Sequence, residues 1–389
     1  MRKVLFEGKI IIAHLGAAPF RCASIAGPLI GASTVNEELP AIGKIPAEFF
    51  ERTILPNLGA ASEKVLVGPR HGVDVGIVEV AEGTVMALST DPLFVVPEYG
   101  WARAAWFAVH ILASDVATSG LAPTLAAFDL NLPLEISEAD LDILWRGISD
   151  ECRALGISVV TGHTARYLGC SYPMVGGATM AGFGSSTKYV TPAMAEPGDQ
   201  VVVTKGPGIE ATALFGVTFP GLVEKALGPE TARQAEELFH QMSVVKECRV
   251  AAAIGVRSRG VTSMHDATEC GLYGGLVEVA QASGVGMRIE KEAIPVPGVV
   301  SRICGHFGMN PYHAISEGTL IVTCKPFRAQ ALLAALGGVS ISAALIGEVT
   351  EKEQGIVLVE AGAETELVHP RVDPFWAAFG EALSTSKRG

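Results

Sequence analysis

Residues 86–124 read MALSTDPLFVVPEYGWARAAWFAVHILASDVATSGLAPT, and the reading of this stretch decides the fold. It opens on an apolar run, Val85–Leu88, expected as a buried strand that stops at Ser89-Thr90-Asp91-Pro92. A carboxylate at a strand end, with a proline restricting the residue before it, suits a cation at a sheet rim. An Ala- and aromatic-rich helix follows over roughly 100–118, with Asp115 near its end among Ile111, Leu112 and Val116. A carboxylate in such company is costly unless it is paired or on a metal. Ser119-Gly120 ends the helix and Pro123 prevents its restart. The plainer alternatives are a turn-forming Asp91 and a satisfied core acid at 115.

Working outward, the chain alternates strand-like and helix-like segments on both sides, which argues α/β or α+β. Strands are expected at 64–67, 76–80, 125–130, 159–160, 174–183, 200–204, 261–264, 286–290, 319–324 and 344–349. Helices are expected at 47–56, 137–155 (capped by Ser137), 211–215, 230–253, 272–283, 299–307 and 327–336. Residues 1–44 read as an irregular arm, 45–190 and 197–350 as two domains joined near the proline-bearing stretch 192–199, and 351–389 as a C-terminal tail whose part from 360 on is expected as helix and then disorder.

A net charge of −12 repels nucleic acid and anionic membrane, so an anionic ligand needs backbone amides or a metal. No apolar run reaches the roughly 18–20 residues of a membrane span. The basic, apolar start raises the question of a signal peptide, but Lys9 interrupts it. Seven scattered cysteines without a CxxC pair read as reduced thiols, and the expectation is a cytoplasmic protein with an N-terminal extension.

Further polar residues cluster at expected element ends. Asp74 closes the Gly-containing turn 68–74, and His163 lies in Thr161-Gly162-His163-Thr164 after a short strand. With Asp91 and Asp115 these make four candidate ligands, mostly oxygen, favouring Mg²⁺ (or Mn²⁺) serving a nucleotide over zinc. There is no GxxxxGK[ST], and no GxGxxG follows a strand in the first half, which disfavours a P-loop kinase or a Rossmann dehydrogenase. Lys205-Gly206-Pro207-Gly208 is either a phosphate cradle or a plain turn. His265-Asp266-Ala267-Thr268-Glu269 is a helix N-cap that is also able to bind an anion, with Cys270 beside it.

These stretches together resemble the AIR synthase-related (PurM-like) superfamily, especially its HypE-like members, over about Ile45–Thr350. Gly72-Val73-Asp74-Val75-Gly76 is similar to its GxDAA turn and Ser89-Thr90-Asp91 to its TTD. Ser114–Gly120 is similar to NDxAxMGA, Thr161–Thr164 to GGDT, and Asp266–Leu272 to DPTRGGL. The resemblance implies a PurM-like two-domain fold, a homodimer whose N-terminal domains form a β-barrel, and an α/β C-terminal domain. It also implies ATP and Mg²⁺ as cofactors, with transfer of a phosphoryl group to an oxygen of a small or protein-borne acceptor. On that basis Asp74, Asp91, Asp115 and His163 are expected on the metal, and Asp91, Asp115, Gly162, Thr164 and Thr268 on the nucleotide. Lys205, His265 and Asp266 are expected at the transferring group. His163 departs from the family's Asp, and Val73 from an acid found in some relatives. The chain closes Thr385-Ser386-Lys387-Arg388-Gly389 without the C-terminal cysteine of HypE-type proteins, so a different acceptor is expected. The alternatives are a thiamine-monophosphate kinase-like enzyme and a nucleotide-binding maturation scaffold with little turnover.

Overall fold

The computed structural model describes residues 45 and 47–386; the expected arm at 1–44 lies outside them, as does the end 387–389 of the expected tail, while strands at Ile356–Glu360 and Ala363–Glu366 extend the second sheet into the stretch expected as tail. Thirteen strands in the described residues form two sheets. The first holds β1 (Val65–Val67), β2 (Gly76–Ala81), β3 (Thr84–Phe94), β4 (Pro123–Leu132), β5 (Ser158–Arg166) and β6 (Met174–Ser185). Their order is β1-β2-β3-β6-β4-β5, with only the β4–β5 pair parallel. The second holds β7 (Gln200–Thr204), β8 (Val261–Ala267), β9 (Gly286–Glu290), β10 (Thr319–Cys324), β11 (Ala343–Thr350), β12 (Ile356–Glu360) and β13 (Ala363–Glu366), in the order β13-β12-β9-β11-β7-β10-β8.

The Trp101–Thr118 helix is buried nearly all round, and its small residues explain how. Ala104, Ala105, Ala108 and Ala113 sit in the core of the first sheet with Val85, Ala87, Phe128 and Met180. On its other side Trp106 and Phe107 join Phe215, Phe239 and Met242 from the second half. One helix therefore serves two cores, which fixes how its C-terminal end, and Asp115, meets the second sheet. Among the described residues no helix is long and apolar enough to cross a membrane.

Several expected boundaries move. β3 does not stop at Ser89 but runs on to Phe94, so Asp91 and Pro92 lie inside it. Beyond Leu88, where β2 ends its pairing, β3 keeps only β6 as a partner, so a residue without an N–H is tolerated at 92. Thr161–Thr164 is likewise strand and not a turn, being the middle of β5. Gly162 is needed there for packing: a Cβ would stand 2.5 Å from the Phe128 carbonyl oxygen. β8 extends through His265 and Asp266, which are therefore strand residues and not a cap. The expected 230–253 helix is two helices, Pro229–Glu237 and Val245–Ala253, parted by a bend whose loop is held by other elements.

Candidate functional site

Alternation along β3 puts Ser89 and Asp91 on one face, toward the end of the Trp101–Thr118 helix. There the Ser89 hydroxyl donates to Asp115 Oδ2 at 2.7 Å. From the second half, β8 brings His265 and Asp266 to the same place, both fully buried. His265 Nδ1 lies 2.7 Å from Asp74 Oδ2, and its Nε2 lies 2.9 Å from Glu278 Oε2 on the Gly271–Ser283 helix. Asp266 Oδ1 is 4.0 Å from His265 Nδ1. The donor atoms of Asp74, His265 and Asp266 fall within 4.8 Å of one another. The site is thus assembled from both halves of the chain.

Its electrostatics follow from crowding acids where water is scarce. Burial first, and then Asp266, Asp74 and Asp91, hold the Asp115 carboxyl well above the usual carboxylate range. Glu317 is pushed up the same way, by burial and then by Asp266, Glu210 and Asp115. Glu210 rises to about 8, through burial first, although the Glu317 backbone N–H donates to it at 2.9 Å and opposes the rise. For His265, burial favours the neutral ring, but Asp74 and Glu278 outweigh it and its pKa stands well above the ordinary value. Each ring nitrogen is engaged by a carboxylate, Nδ1 by Asp74 and Nε2 by Glu278, which leaves neither for a metal. Carboxylates that raise one another's pKa are relieved by a hard divalent cation, so the oxygen-rich donor set of Asp74, Asp91, Asp115 and Asp266 fits Mg²⁺.

Other expected site residues stand elsewhere. Lys205 does not face this cluster with a free ammonium: its Nζ pairs with Glu247 at 2.7 Å and donates to the carbonyls of Gln241 and Ser243 at 2.8 and 2.9 Å. Those three contacts use its three donors and tie down the bend before the Val245–Ala253 helix. Gly162, His163 and Thr164 lie on exposed β5. Register links Gly162 to Phe128, Phe128 to Ala178 and Ala178 to Asp91. That is three inter-strand steps of about 4.8 Å each, or roughly 14 Å. His163 Nε2 is hydrogen-bonded to Tyr167 Oη at 2.8 Å, within its own strand region and away from the acids. Thr164 borders a groove of about 770 Å³ with Leu130, Leu141 and Trp145, on the far side of the sheet from β3. The Thr268 carbonyl accepts from the N–H groups of Gly271 and Ser316, shaping the turn into the Gly271–Ser283 helix.

Sequence reading missed Glu278, Glu317 and Glu210. Glu278 carried a signal, as the single charged residue in the otherwise apolar helix GLYGGLVEVAQAS. Glu317 and Glu210 carried none, because only the docking of the 313–318 loop on the Ile209–Thr218 helix brings them near Asp266.

Comparison with known proteins agrees with this architecture. The chain is 28% identical over 291 residues to the carbamoyl dehydratase HypE of Cupriavidus necator, covering 72% of this chain and 78% of that one. The crystal structure of E. coli HypE, a hydrogenase maturation protein, superposes with a TM-score of 0.62 at 25% identity, covering 81% of this chain and 94% of that one. AaThiL complexed with AMPPCP and TMP superposes with a TM-score of 0.64 at 21% identity, covering 84% and 98%. The model of the AIR synthase related protein N-terminal domain matches residues 72–183, and that of the C-terminal domain matches 196–360. With one model on each sheet and the acids of both sheets converging, this α/β chain belongs to the AIR synthase related protein family.

Proposed function

We propose that the protein is an ATP- and Mg²⁺-dependent phosphotransferase or synthetase, acting on an oxygen of a small or protein-borne acceptor. The observation that carries this reading is the convergence of acids from two halves, with Asp266, Asp74 and Asp91 each raising the Asp115 pKa. These four would hold Mg²⁺, which when bound supplies charge neutralisation and alignment of the nucleotide phosphates. The chain's own part is positional. Ser89 orients Asp115, and His265 orients Asp74. Glu210, with its pKa raised to about 8, is able to hold a proton at neutral pH, and Glu317 beside it is pushed in the same direction by burial and by Asp266. AMPPCP in AaThiL, a nucleotide analogue, supports ATP as the nucleotide here.

A homodimer belongs to the same reading. β5 is an edge strand in which every residue except Ala165 is exposed, with Val159 and Val160 among them. Pairing through that edge would cover it and place Gly162–Thr164 at the subunit interface. The test of function is phosphate release from ATP with Mg²⁺, over a panel of acceptors, for the native chain and Asp91→Asn. Turnover lost in Asp91→Asn with an unchanged melting profile supports the assignment. Equal turnover in both overturns it, and absence of turnover in the native chain with every acceptor leaves a nucleotide-binding scaffold.

A further inference from the structure

We propose that His265 is a positioning residue that sets cation affinity through the hydrogen bond its Nδ1 makes with Asp74. The inference rests on the cation reading given above. Asp74 sits on the turn 68–74, which belongs to no sheet and is closed by one β-bridge, Arg70 with Val73. Its carboxylate faces Asp115 and retains some exposure, so mutual repulsion favours its swinging toward water. His265 opposes that swing through Nδ1, and the imidazole is itself fixed through Nε2 by Glu278. The same Glu278 also touches the turn through its backbone. Gly72, at φ +71°, lies so close that a Cβ there would stand 2.9 Å from Glu278 Cβ. Gly72, Glu278, His265 and Asp74 therefore close a ring that spans the two halves, and the ring holds a ligand carboxylate in place. Outer-shell partners of this kind orient ligands and tune metal affinity.

The two amide isosteres of histidine separate positioning from mere packing. The Asn amide nitrogen takes the place of Nδ1 and keeps the donor to Asp74, whereas the Gln amide nitrogen takes the place of Nε2 and keeps only the link to Glu278. Mn²⁺ affinity of the full chain would be read from the free-ion EPR signal, with and without AMPPCP, beside melting curves in EDTA. His265→Asn is expected within about threefold of the native affinity, and His265→Gln about 10- to 100-fold weaker. Gly72→Ala, which pushes the turn away without touching the ring nitrogens, is expected to weaken binding similarly and stands in if His265→Gln does not melt cooperatively. Equal affinities for the two isosteres, the reverse order, or native affinity in Gly72→Ala overturns the inference while leaving the cation site. Absence of Mn²⁺ binding by the native chain, with or without AMPPCP, overturns the cation reading and this inference with it.

Discussion

Lys205 and Glu247 form an ion pair of 2.7 Å in which both side chains are buried, one after β7 and the other in the first turn of the Val245–Ala253 helix. Removing one partner of such a pair strands the other charge. Lys205→Met is therefore expected to lower unfolding free energy by about 3–5 kcal/mol, and Lys205→Met with Glu247→Gln to recover much of it. Urea denaturation of the three proteins checks this. A Lys205→Met chain of native stability with lost phosphoryl transfer would return Lys205 to the reaction.

Asp115→Asn keeps an acceptor for the Ser89 hydroxyl and removes one of the crowded charges. Without metal, the variant is expected to melt about 1–2 °C higher, corresponding to about 1 kcal/mol in a chain of 389 residues. The extra stabilisation that Mg²⁺ and ATP together confer on the native chain should vanish. Thermal scans in EDTA and in Mg²⁺–ATP measure both effects, and a lower melting point in EDTA would contradict the repulsion argument.

The pH dependence follows from Glu210, whose pKa rises from 4.5 to about 8 on folding. The folded state binds more protons than the unfolded state between these values, so the stability tied to this group is complete below pH 4.5 and is lost as pH rises through 8. Allowing for its partial exposure, the loss is on the order of 2–4 kcal/mol. Glu210→Gln still accepts from the Glu317 N–H and should flatten that part of the profile, which denaturation at a series of pH values reads directly.

If β5 pairs two subunits, a charge in the middle of that edge should separate them. Val160 is 58% exposed, so its replacement leaves the monomer core untouched. Val160→Lys is expected to halve the mass seen by light scattering at micromolar concentration while changing monomer stability by less than about 0.5 kcal/mol. A native chain that already scatters as a monomer would refute the pairing.

Residue pattern made the α/β alternation legible, and most strands stand within a few residues of their expected places. Pro92 and Gly162 misled because breakers mark turns only where a strand would otherwise need them paired. Both sit where one side of the strand has no partner, so β3 and β5 continue through them. Asp74, Asp91, Asp115 and Asp266 could be singled out because acids beside apolar runs are costly wherever they fall. The contact of Lys205 with Glu247 depends on tertiary placement, whereas that of His163 with Tyr167 is local, four residues along the chain, and residue type alone signalled neither. Glu317 joins the acids only through a loop docked on the Ile209–Thr218 helix, which no local spacing encodes.

Asp74 and His265 are 191 positions apart in the chain. During synthesis the whole first sheet has left the ribosome before His265, Asp266 and Glu278 are made. Asp74, Asp91 and Asp115 then wait, hydrated and apart from their partners, until the second half arrives. The nascent protein therefore has no complete site until late, and a truncated product retains three acids without Asp266 and without the His265 that holds Asp74. Cation-dependent protection from proteolysis would accordingly report completion of the chain.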